Sequence, residues 1–277
     1  MQKTERIVKA RDTRIPALGF GTYELTGPNC SKMVTGALNA GYRHVDTAQI
    51  YGNEELVGAG IEDAEIDRGD IFLTTKVWFD SFEPAKLESS VEGSLKKLRT
   101  EYVDLLLLHW PVFEDSMEPT LEALLRQKEK GRARAVGVSN FTLAQLKQAN
   151  DFAGEHLVTN QVEYHPFLDQ SRMLEALVDN QMALTAYSPL ARGKIFKEDA
   201  ISRVARERGV DEAQVTLAWL LGQPGVVAIP KSSSMEHALS NLKGSELELS
   251  EEERAAIDKI GSPEGRLVDP SFAPDWD

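Results

Sequence analysis

Short, continuously hydrophobic segments alternate along the chain with longer segments of helical periodicity. Eight hydrophobic runs of strand length begin near residues 17, 42, 71, 102, 133, 157, 183 and 226, and each precedes a segment of helical period. In segment 84–98, for example, Leu87, Val91, Leu95 and Leu98 fall on one helical face. Continuous apolar strands separated by helices predict a parallel sheet that those helices cover.

The number of strand–helix units selects one α/β architecture. Eight units in 277 residues predict a (β/α)8 TIM barrel rather than an open doubly wound sheet, because such barrels need about 250 residues. Nothing in the composition divides the chain, so we expect one domain over residues 1–277. Residues 7–14 are expected to form an N-terminal β-hairpin that plugs the lower end of the barrel. Residues 261–277, with three prolines, Phe272 and Trp276, predict an ordered C-terminal loop near the substrate.

Composition and charge exclude several classes of protein. With 31 Lys and Arg against 44 Asp and Glu, the net charge of −13 argues against nucleic acid or an anionic membrane as the partner. Cys30 is the single cysteine, which excludes an intramolecular disulfide and a multi-cysteine metal site. No apolar run approaches the roughly 18 residues of a membrane helix, and residues 1–6 lack a secretory signal. We therefore expect a cytoplasmic monomer that acts on a small molecule.

Four polar side chains fall at the ends of neighbouring predicted strands. Asp46, Lys76 and His109 end the second, third and fourth strands, and Tyr51 lies in the loop after the second. Alone, each has an ordinary interpretation: a turn residue, a rim lysine, a strand cap and a packing aromatic. The C-terminal ends of barrel strands collect reactive groups, so their coincidence favours one reactive rim.

The chemistry of these four groups is coherent. A phenol has a reference pKa of about 10 and is a poor proton donor near neutrality. A neighbouring ammonium should lower that pKa, a carboxylate should keep the ammonium charged, and an imidazole can orient a carbonyl oxygen. The set predicts the protonation of an oxygen that becomes an alkoxide, as in the reduction of a carbonyl by hydride.

Several longer motifs support this interpretation. Residues 19–23 (GFGTY), 41–54 (GYRHVDTAQIYGNE), 107–111 (LLHWP), 136–141 (VGVSNF), 160–166 (NQVEYHP) and 229–232 (IPKS) resemble the aldo-keto reductase superfamily. The branch most similar is that of the bacterial 2,5-diketo-D-gluconate and methylglyoxal reductases. The resemblance implies a barrel that binds NADPH without a Rossmann fold, and segment 19–24 indeed lacks the third glycine of that fingerprint. It also implies that Tyr51 is the general acid, that Lys76 and Asp46 tune it, and that His109 orients the substrate.

The resemblance further implies a set of cofactor contacts. Ser139, Asn140 and Gln161 would hold the nicotinamide carboxamide, Tyr187 would stack on its ring, and Lys231 with Ser232 and Ser233 would bind a 2′-phosphate. The remaining implied contacts are Gly21, Thr22, Tyr23, Asp46, Ser188, Leu190, His237 and Asn241, with Arg192 or Lys194 near the pyrophosphate. Many relatives carry arginine where this chain has His237, and histidine is mostly neutral at pH 7. We therefore expect a weaker NADPH preference that leaves room for NADH.

An aromatic mouth is expected around the reactive rim. Its residues would be Tyr23, Trp78, His109, Trp110, Phe113, Phe272 and Trp276, which suits aldehydes and ketones in general. The predicted function is the NAD(P)H-dependent reduction of aldehydes and ketones, such as methylglyoxal or 2,5-diketo-D-gluconate. A regulatory or structural subunit that binds the nicotinamide cofactor with little turnover is the alternative. A metal-dependent hydrolase is less favoured and no metal is expected, since His44 and His109 are the only histidines near the early strand ends.

Overall fold

The computed structural model of the chain describes residues 6–277. The expectation that no secretory signal is present therefore falls almost wholly outside the described residues. Ten strands are described: β1 (Ile7–Ala10), β2 (Thr13–Pro16), β3 (Phe20–Gly21), β4 (His44–Asp46), β5 (Phe72–Val77), β6 (Val103–Leu108), β7 (Ala133–Ser139), β8 (Leu157–Glu163), β9 (Ala183–Tyr187) and β10 (Val226–Ala228).

The α-helices alternate with strands β3–β10 as the hydrophobic periodicity predicts. They are α1 (Gly27–Ala40), α2 (Glu54–Glu62), α3 (Pro84–Lys97), α4 (Glu118–Glu129), α5 (Leu143–Ala153), α6 (Ser171–Asp179), α7 (Asp199–Arg208), α8 (Glu212–Leu221), α9 (Met235–Gly244) and α10 (Glu251–Asp258). Among residues 6–277, no helix is long and apolar enough to cross a membrane. Helix α10 begins with a capping box formed by Ser250 and Glu253.

Strands β3–β10 form a parallel sheet in chain order, and its two edges meet. The Gly19 N–H donates to the Ala228 carbonyl at 2.8 Å, and the Gly21 N–H donates to the Pro230 carbonyl at 3.0 Å. A Cβ added to Gly21 would lie 2.7 Å from the Ile229 carbonyl oxygen, so the close approach at this seam requires glycine. The closed sheet with its outer helices confirms the (β/α)8 barrel.

The continuous hydrophobicity of the strands follows from burial on both faces. Every residue of β6 is buried, with Leu106 and Leu108 packed under the helices and Leu105 and Leu107 pointing into the barrel. The interior cluster at the N-terminal end also contains Val158 of β8 and small residues of neighbouring strands. The barrel is therefore a filled core, and its free space lies at one end.

The predicted N-terminal hairpin is present, and it covers the end of the barrel opposite the reactive rim. Strands β1 and β2 pair antiparallel, and Ile15 of β2 is fully buried in the interior cluster. At the turn between them, the Arg11 N–H donates to the Gln181 carbonyl at 2.8 Å, and the Arg11 Nη1 donates to the Gly154 carbonyl at 2.7 Å. These contacts tie the hairpin to the loops at the N-terminal end of the barrel.

The chain after α10 crosses the C-terminal end of the barrel. It first pairs with the segment after β8, where the Ser262 N–H donates to the Phe167 carbonyl at 3.1 Å. A Cβ on Gly265 would lie 1.7 Å from the Phe167 carbonyl oxygen, so no other residue fits at this crossing. We call residues 266–277 the C-terminal tail; its position over the barrel mouth is the one expected of the C-terminal loop.

Candidate active site

The four polar side chains singled out from the sequence lie together at the C-terminal ends of adjacent strands. Asp46 is the last residue of β4, Lys76 lies near the end of β5, and His109 directly follows β6. Tyr51 belongs to a single 3-10 turn, Gln49–Tyr51, that the chain makes after β4. Parallel pairing places neighbouring strand ends at one edge, which is why residues far apart in the sequence converge here.

A buried ion pair forms the floor of this site. The fully buried Lys76 Nζ lies 2.6 Å from the Asp46 Oδ1 and donates to the Thr47 carbonyl at 2.8 Å. It also lies 3.5 Å from the Tyr51 hydroxyl oxygen. The Gln161 amide donates to the second Asp46 oxygen at 2.8 Å. Because a buried ion pair needs all its polar atoms satisfied, this network explains how the charges persist inside the barrel.

The pKa of the Tyr51 phenol differs from the expectation. Desolvation of the half-buried phenol, together with the nearby Asp46 carboxylate, raises the pKa of Tyr51 well above its usual value. Burial also lowers the pKa of the Lys76 ammonium, although Asp46 opposes that shift. The pKa of the phenol is therefore raised in this structure where a lowering was expected, and desolvation is the main cause. The phenol carries its proton near neutrality and can donate it.

His109 is held as a neutral imidazole beside Tyr51 and Trp78. Its ring centroid is 5.7 Å from that of Tyr51 and 5.2 Å from that of Trp78. Burial, and then the Lys76 ammonium, lower the pKa of His109 well below its usual value. Within residues 6–277, its buried Nδ1 has no hydrogen-bond partner. A neutral ring with one N–H can donate a hydrogen bond to a carbonyl oxygen without adding charge.

A cleft of about 480 Å³ opens above these side chains. Asp46, Tyr51 and His109 line the cleft, whereas Lys76 is buried and does not. The lining also contains many of the residues expected to contact cofactor or substrate. Those are Gly21, Thr22, Tyr23, Trp78, Trp110, Asn140, Gln161, Tyr187, Ser188, Lys231 and Phe272. Arg192, named beside the pyrophosphate, also lines it.

Polar groups along one side of the cleft are linked to the ion pair. Asn140 donates through Nδ2 to the His109 carbonyl at 3.0 Å and accepts from the Tyr187 hydroxyl at 2.8 Å. Ser139 is buried and donates to the Gln161 carbonyl at 2.8 Å. Amide donors and acceptors thus lie beside the aromatic Tyr187, and a nicotinamide carboxamide requires groups of both kinds.

A second polar region lies where the cleft meets the start of α9. Ser234, the N-cap of α9, makes no side-chain capping bond, while Lys231 and Ser233 are exposed nearby. The Ser232 hydroxyl donates to the Ser234 carbonyl at 2.7 Å. A cation beside open helix N–H groups attracts an anion, so this region can hold a phosphate.

Other predicted contact residues lie outside the cleft lining. Leu190 is half-buried against the core, and His237 is exposed on the first turn of α9. Asn241 is buried.

The position of Phe113 differs from the prediction that it lines the mouth of the cleft. Its ring stacks on that of Phe82 at 5.4 Å and packs against Phe141 at 6.0 Å, so it belongs to the core and not to the cleft wall. The expected placement of Phe113 is therefore wrong.

Of the other aromatic residues predicted for the mouth, Tyr23, Trp78, Trp110 and Phe272 line the cleft, whereas Trp276 does not. The Phe272 ring of the tail lies 5.7 Å from the ring of Trp78 and 5.3 Å from that of Trp110. Trp276 forms a second layer behind Trp110, at 6.2 Å, with the Arg266 guanidinium 3.5 Å from its ring centroid.

Sequence reasoning missed part of the cleft wall and the residue that holds it. Ile50, Leu267, Val268, Asp269 and Pro270 line the cleft but were not singled out. Glu163, fully buried at the end of β8, accepts the backbone N–H groups of Leu267 and Val268. A charged residue at the end of an apolar strand was the available signal, although nothing in the sequence indicates its partners.

Comparisons with known proteins agree with this geometry. The aldo/keto reductase family profile matches residues 17–262. The methylglyoxal reductase DkgB of Escherichia coli O157:H7 is 40% identical over 272 residues, which cover 95% of this chain and 99% of that protein. A crystal structure provisionally called a 2,5-diketo-D-gluconic acid reductase B has a TM-score of 0.96 and 40% identity, covering 99% of this chain and 98% of the other.

A further solved structure contains a bound nucleotide. It is a mutant of Gox0644 in complex with NADPH, with a TM-score of 0.90 and 32% identity, and it covers 96% of this chain and 97% of that one. The curated relative and both solved structures cover more than nine tenths of this chain. The chain therefore belongs to the aldo/keto reductase family.

Proposed function

We propose that this protein reduces small aldehydes and ketones to alcohols with NADPH. The observation that carries the proposal is the protonated Tyr51 hydroxyl, 3.5 Å from the buried Lys76 Nζ, at the floor of an aromatic cleft. When bound, NADPH supplies a hydride to the carbonyl carbon. Family membership supports the reaction class. The aromatic side chains that line the cleft support a small organic substrate.

The proposed roles of the reactive residues follow from their positions. Tyr51 holds a proton that it gives to the carbonyl oxygen as that oxygen gains negative charge. The neutral His109 orients the same oxygen by donating a hydrogen bond. Lys76 stabilises the phenolate that remains, and Asp46 keeps the lysine charged and in place.

The residues present fit the cofactor. Ser139, Asn140 and Gln161 supply donors and acceptors for the nicotinamide carboxamide, and the Tyr187 ring offers a face for stacking. Ser188, Leu190 and Arg192 would lie beside the pyrophosphate. Lys231, Ser232, Ser233 and His237 would lie beside the 2′-phosphate at the start of α9, with Asn241 toward the adenine. The NADPH held by the Gox0644 mutant supports this choice.

Among the predicted substrates, the cleft favours a neutral dicarbonyl over a sugar acid. The exposed Asp269 carboxylate lines the mouth, so it would repel the carboxylate of 2,5-diketo-D-gluconate. Methylglyoxal carries no charge and is small enough for the aromatic mouth. The methylglyoxal reductase name of the Escherichia coli relative supports this substrate class. We place the activity in the cytoplasm and in a monomer.

Substitution of Tyr51 by phenylalanine tests the proposal. We expect kcat for methylglyoxal to fall by about 10²- to 10⁴-fold, since the proton donor is lost while the ring remains. Binding of NADPH, measured by quenching of tryptophan fluorescence, should stay unchanged because the ring keeps its contacts.

Normal turnover in Tyr51→Phe would refute the assignment of the acid. A wild-type protein that binds NADPH tightly but never oxidises it with methylglyoxal, 4-nitrobenzaldehyde or 2,5-diketo-D-gluconate would refute the proposed reductase. That result would favour the regulatory subunit.

A further inference from the structure

The carboxylate of Glu163 is the most completely enclosed charge next to the cleft that the proposed reaction does not use. Glu163 ends β8, and both it and His165 are fully buried. Its Oε1 accepts from the Leu267 N–H at 2.9 Å, and its Oε2 accepts from the Val268 N–H at 3.0 Å. Two consecutive backbone amides of the tail are thus bound by the two oxygens of one side chain.

Two further side chains complete this arrangement. The His165 Nε2 lies 2.9 Å from the Glu163 Oε1, and the Arg266 Nη1 lies 3.9 Å from the Oε2. Burial alone would raise the pKa of Glu163, but the hydrogen bonds from His165, Val268 and Leu267 lower it below its usual value. The carboxylate is therefore ionised at neutral pH. An ionised carboxylate can only accept hydrogen bonds, which suits the N–H groups that surround it.

The bound amides belong to the segment that forms one wall of the cleft. Leu267 and Val268 themselves line it, followed by Asp269, Pro270 and Phe272. The ring of Pro270 and the hydrogen bond from the Ala273 N–H to the Pro270 carbonyl, at 2.8 Å, stiffen the chain between them. Fixing residues 267 and 268 therefore fixes where the Phe272 ring meets Trp78 and Trp110.

We propose that Glu163 is a positioning residue that sets the selectivity of the enzyme by holding the C-terminal tail as a wall of the substrate cleft. This inference rests on the proposed carbonyl reduction. Substrates that reach the wall, such as an aromatic aldehyde, depend on the contact between Glu163 and the tail. Methylglyoxal is held close to Tyr51 and His109, and it depends on that contact much less.

The variant Glu163→Gln tests this role. Glutamine keeps one acceptor oxygen but points an NH2 group at a backbone N–H, so one tail amide loses its partner. We expect kcat/KM for 4-nitrobenzaldehyde to fall by about tenfold or more, chiefly through KM, and that for methylglyoxal to change by less than about threefold. Hydrogen exchange of residues 266–272 should become faster in the same variant.

Asp104→Asn is the matched control, because Asp104 is also a buried carboxylate that accepts a backbone N–H and pairs with arginine. It accepts from the Leu73 N–H at 3.0 Å and contacts Arg68 and Arg134, away from the cleft. We expect it to lower thermal stability without changing the ratio of the two kcat/KM values. Phe272→Ala, in the exposed part of the tail, should reproduce the altered ratio of Glu163→Gln.

Equal losses for both substrates in Glu163→Gln, or a ratio like that of Asp104→Asn, would overturn the positioning role. An unchanged ratio in Phe272→Ala would overturn the role of the tail as a selective wall. If Glu163→Gln does not fold, Glu163→Asp replaces it under the same criteria, since it moves both acceptor oxygens away from the amides. A wild-type protein without carbonyl turnover would instead refute the proposed function, and this inference with it.

Discussion

At the scale of single residues, the site depends on a charge pair that would be unstable in a plain hydrophobic core. Removing an ammonium and a carboxylate from water costs several kcal/mol per ion unless close partners compensate. The Thr47 carbonyl completes the partners of Lys76, and the Gln161 amide completes those of Asp46. At the ends of β4 and β5 this cost is accepted where the chemistry requires the charges.

The choice between the two nicotinamide cofactors is also decided by single residues. We expect His237→Arg to tighten NADPH binding by about tenfold and to change NADH binding by less than about twofold, because arginine adds a permanent, planar charge for the 2′-phosphate. Dissociation constants from fluorescence titration would measure this difference. His237→Gln is the matched control, since it changes the side chain without adding charge. Equal tightening of both cofactors would show that position 237 does not lie beside the phosphate.

The sequence allows some of these residues to be placed and not others. Asp46, Lys76 and His109 are predictable because the ends of neighbouring parallel strands must meet. Phe113 is not, since the choice between core and mouth depends on an apolar space left by Phe82 and Phe141. The partners of Glu163 in the C-terminal tail lie more than a hundred residues away, and no local pattern encodes that contact.

At the scale of elements, hydrophobic period locates strands and helices better than it locates their ends. The pattern at 31–39 predicts a helix, and α1 extends from Gly27 to Ala40, because Pro28 is well suited to a first helical turn. The prediction for segment 84–98 is confirmed within one residue by α3. Between β9 and β10 the chain forms α7 and α8 where a single helical segment was expected.

Helix α10 gives a prediction about the pH dependence of stability. Glu253 caps the helix and pairs with Arg208, which lowers the pKa of Glu253 from 4.5 to about 2. A carboxyl with a lowered folded-state pKa stabilises the protein above its unfolded pKa and loses that contribution as the pH falls. We expect Glu253→Gln to cost about 1 kcal/mol at pH 7, because the pair is partly exposed to solvent, and this cost to shrink between pH 4.5 and about 2.

Urea denaturation at several pH values would measure this change. Glu252→Gln is the control, because the Glu252 carboxylate lies next to Glu253 in the sequence but takes no part in the capping box. A difference from wild type that stays constant across the acid range would contradict the assigned role of Glu253.

At the scale of the whole molecule, the expectation of one domain over residues 1–277 stays a prediction. The closed sheet shares one core with its outer helices, so we expect thermal unfolding to occur in a single cooperative step. Far-ultraviolet circular dichroism would follow the helices, and fluorescence would follow Trp78, Trp110, Trp219 and Trp276. The two melting curves should coincide in the wild-type protein. Two separated transitions would divide the chain into independent units.

The two ends of the barrel carry different features, and this has a practical consequence. The β1–β2 hairpin covers one end, and the catalytic cleft and its tail occupy the other. A solid support coupled through the exposed Arg14 side of the hairpin would leave the cleft facing the solution. Substrate and cofactor would then reach an immobilised catalyst without passing the surface that holds it.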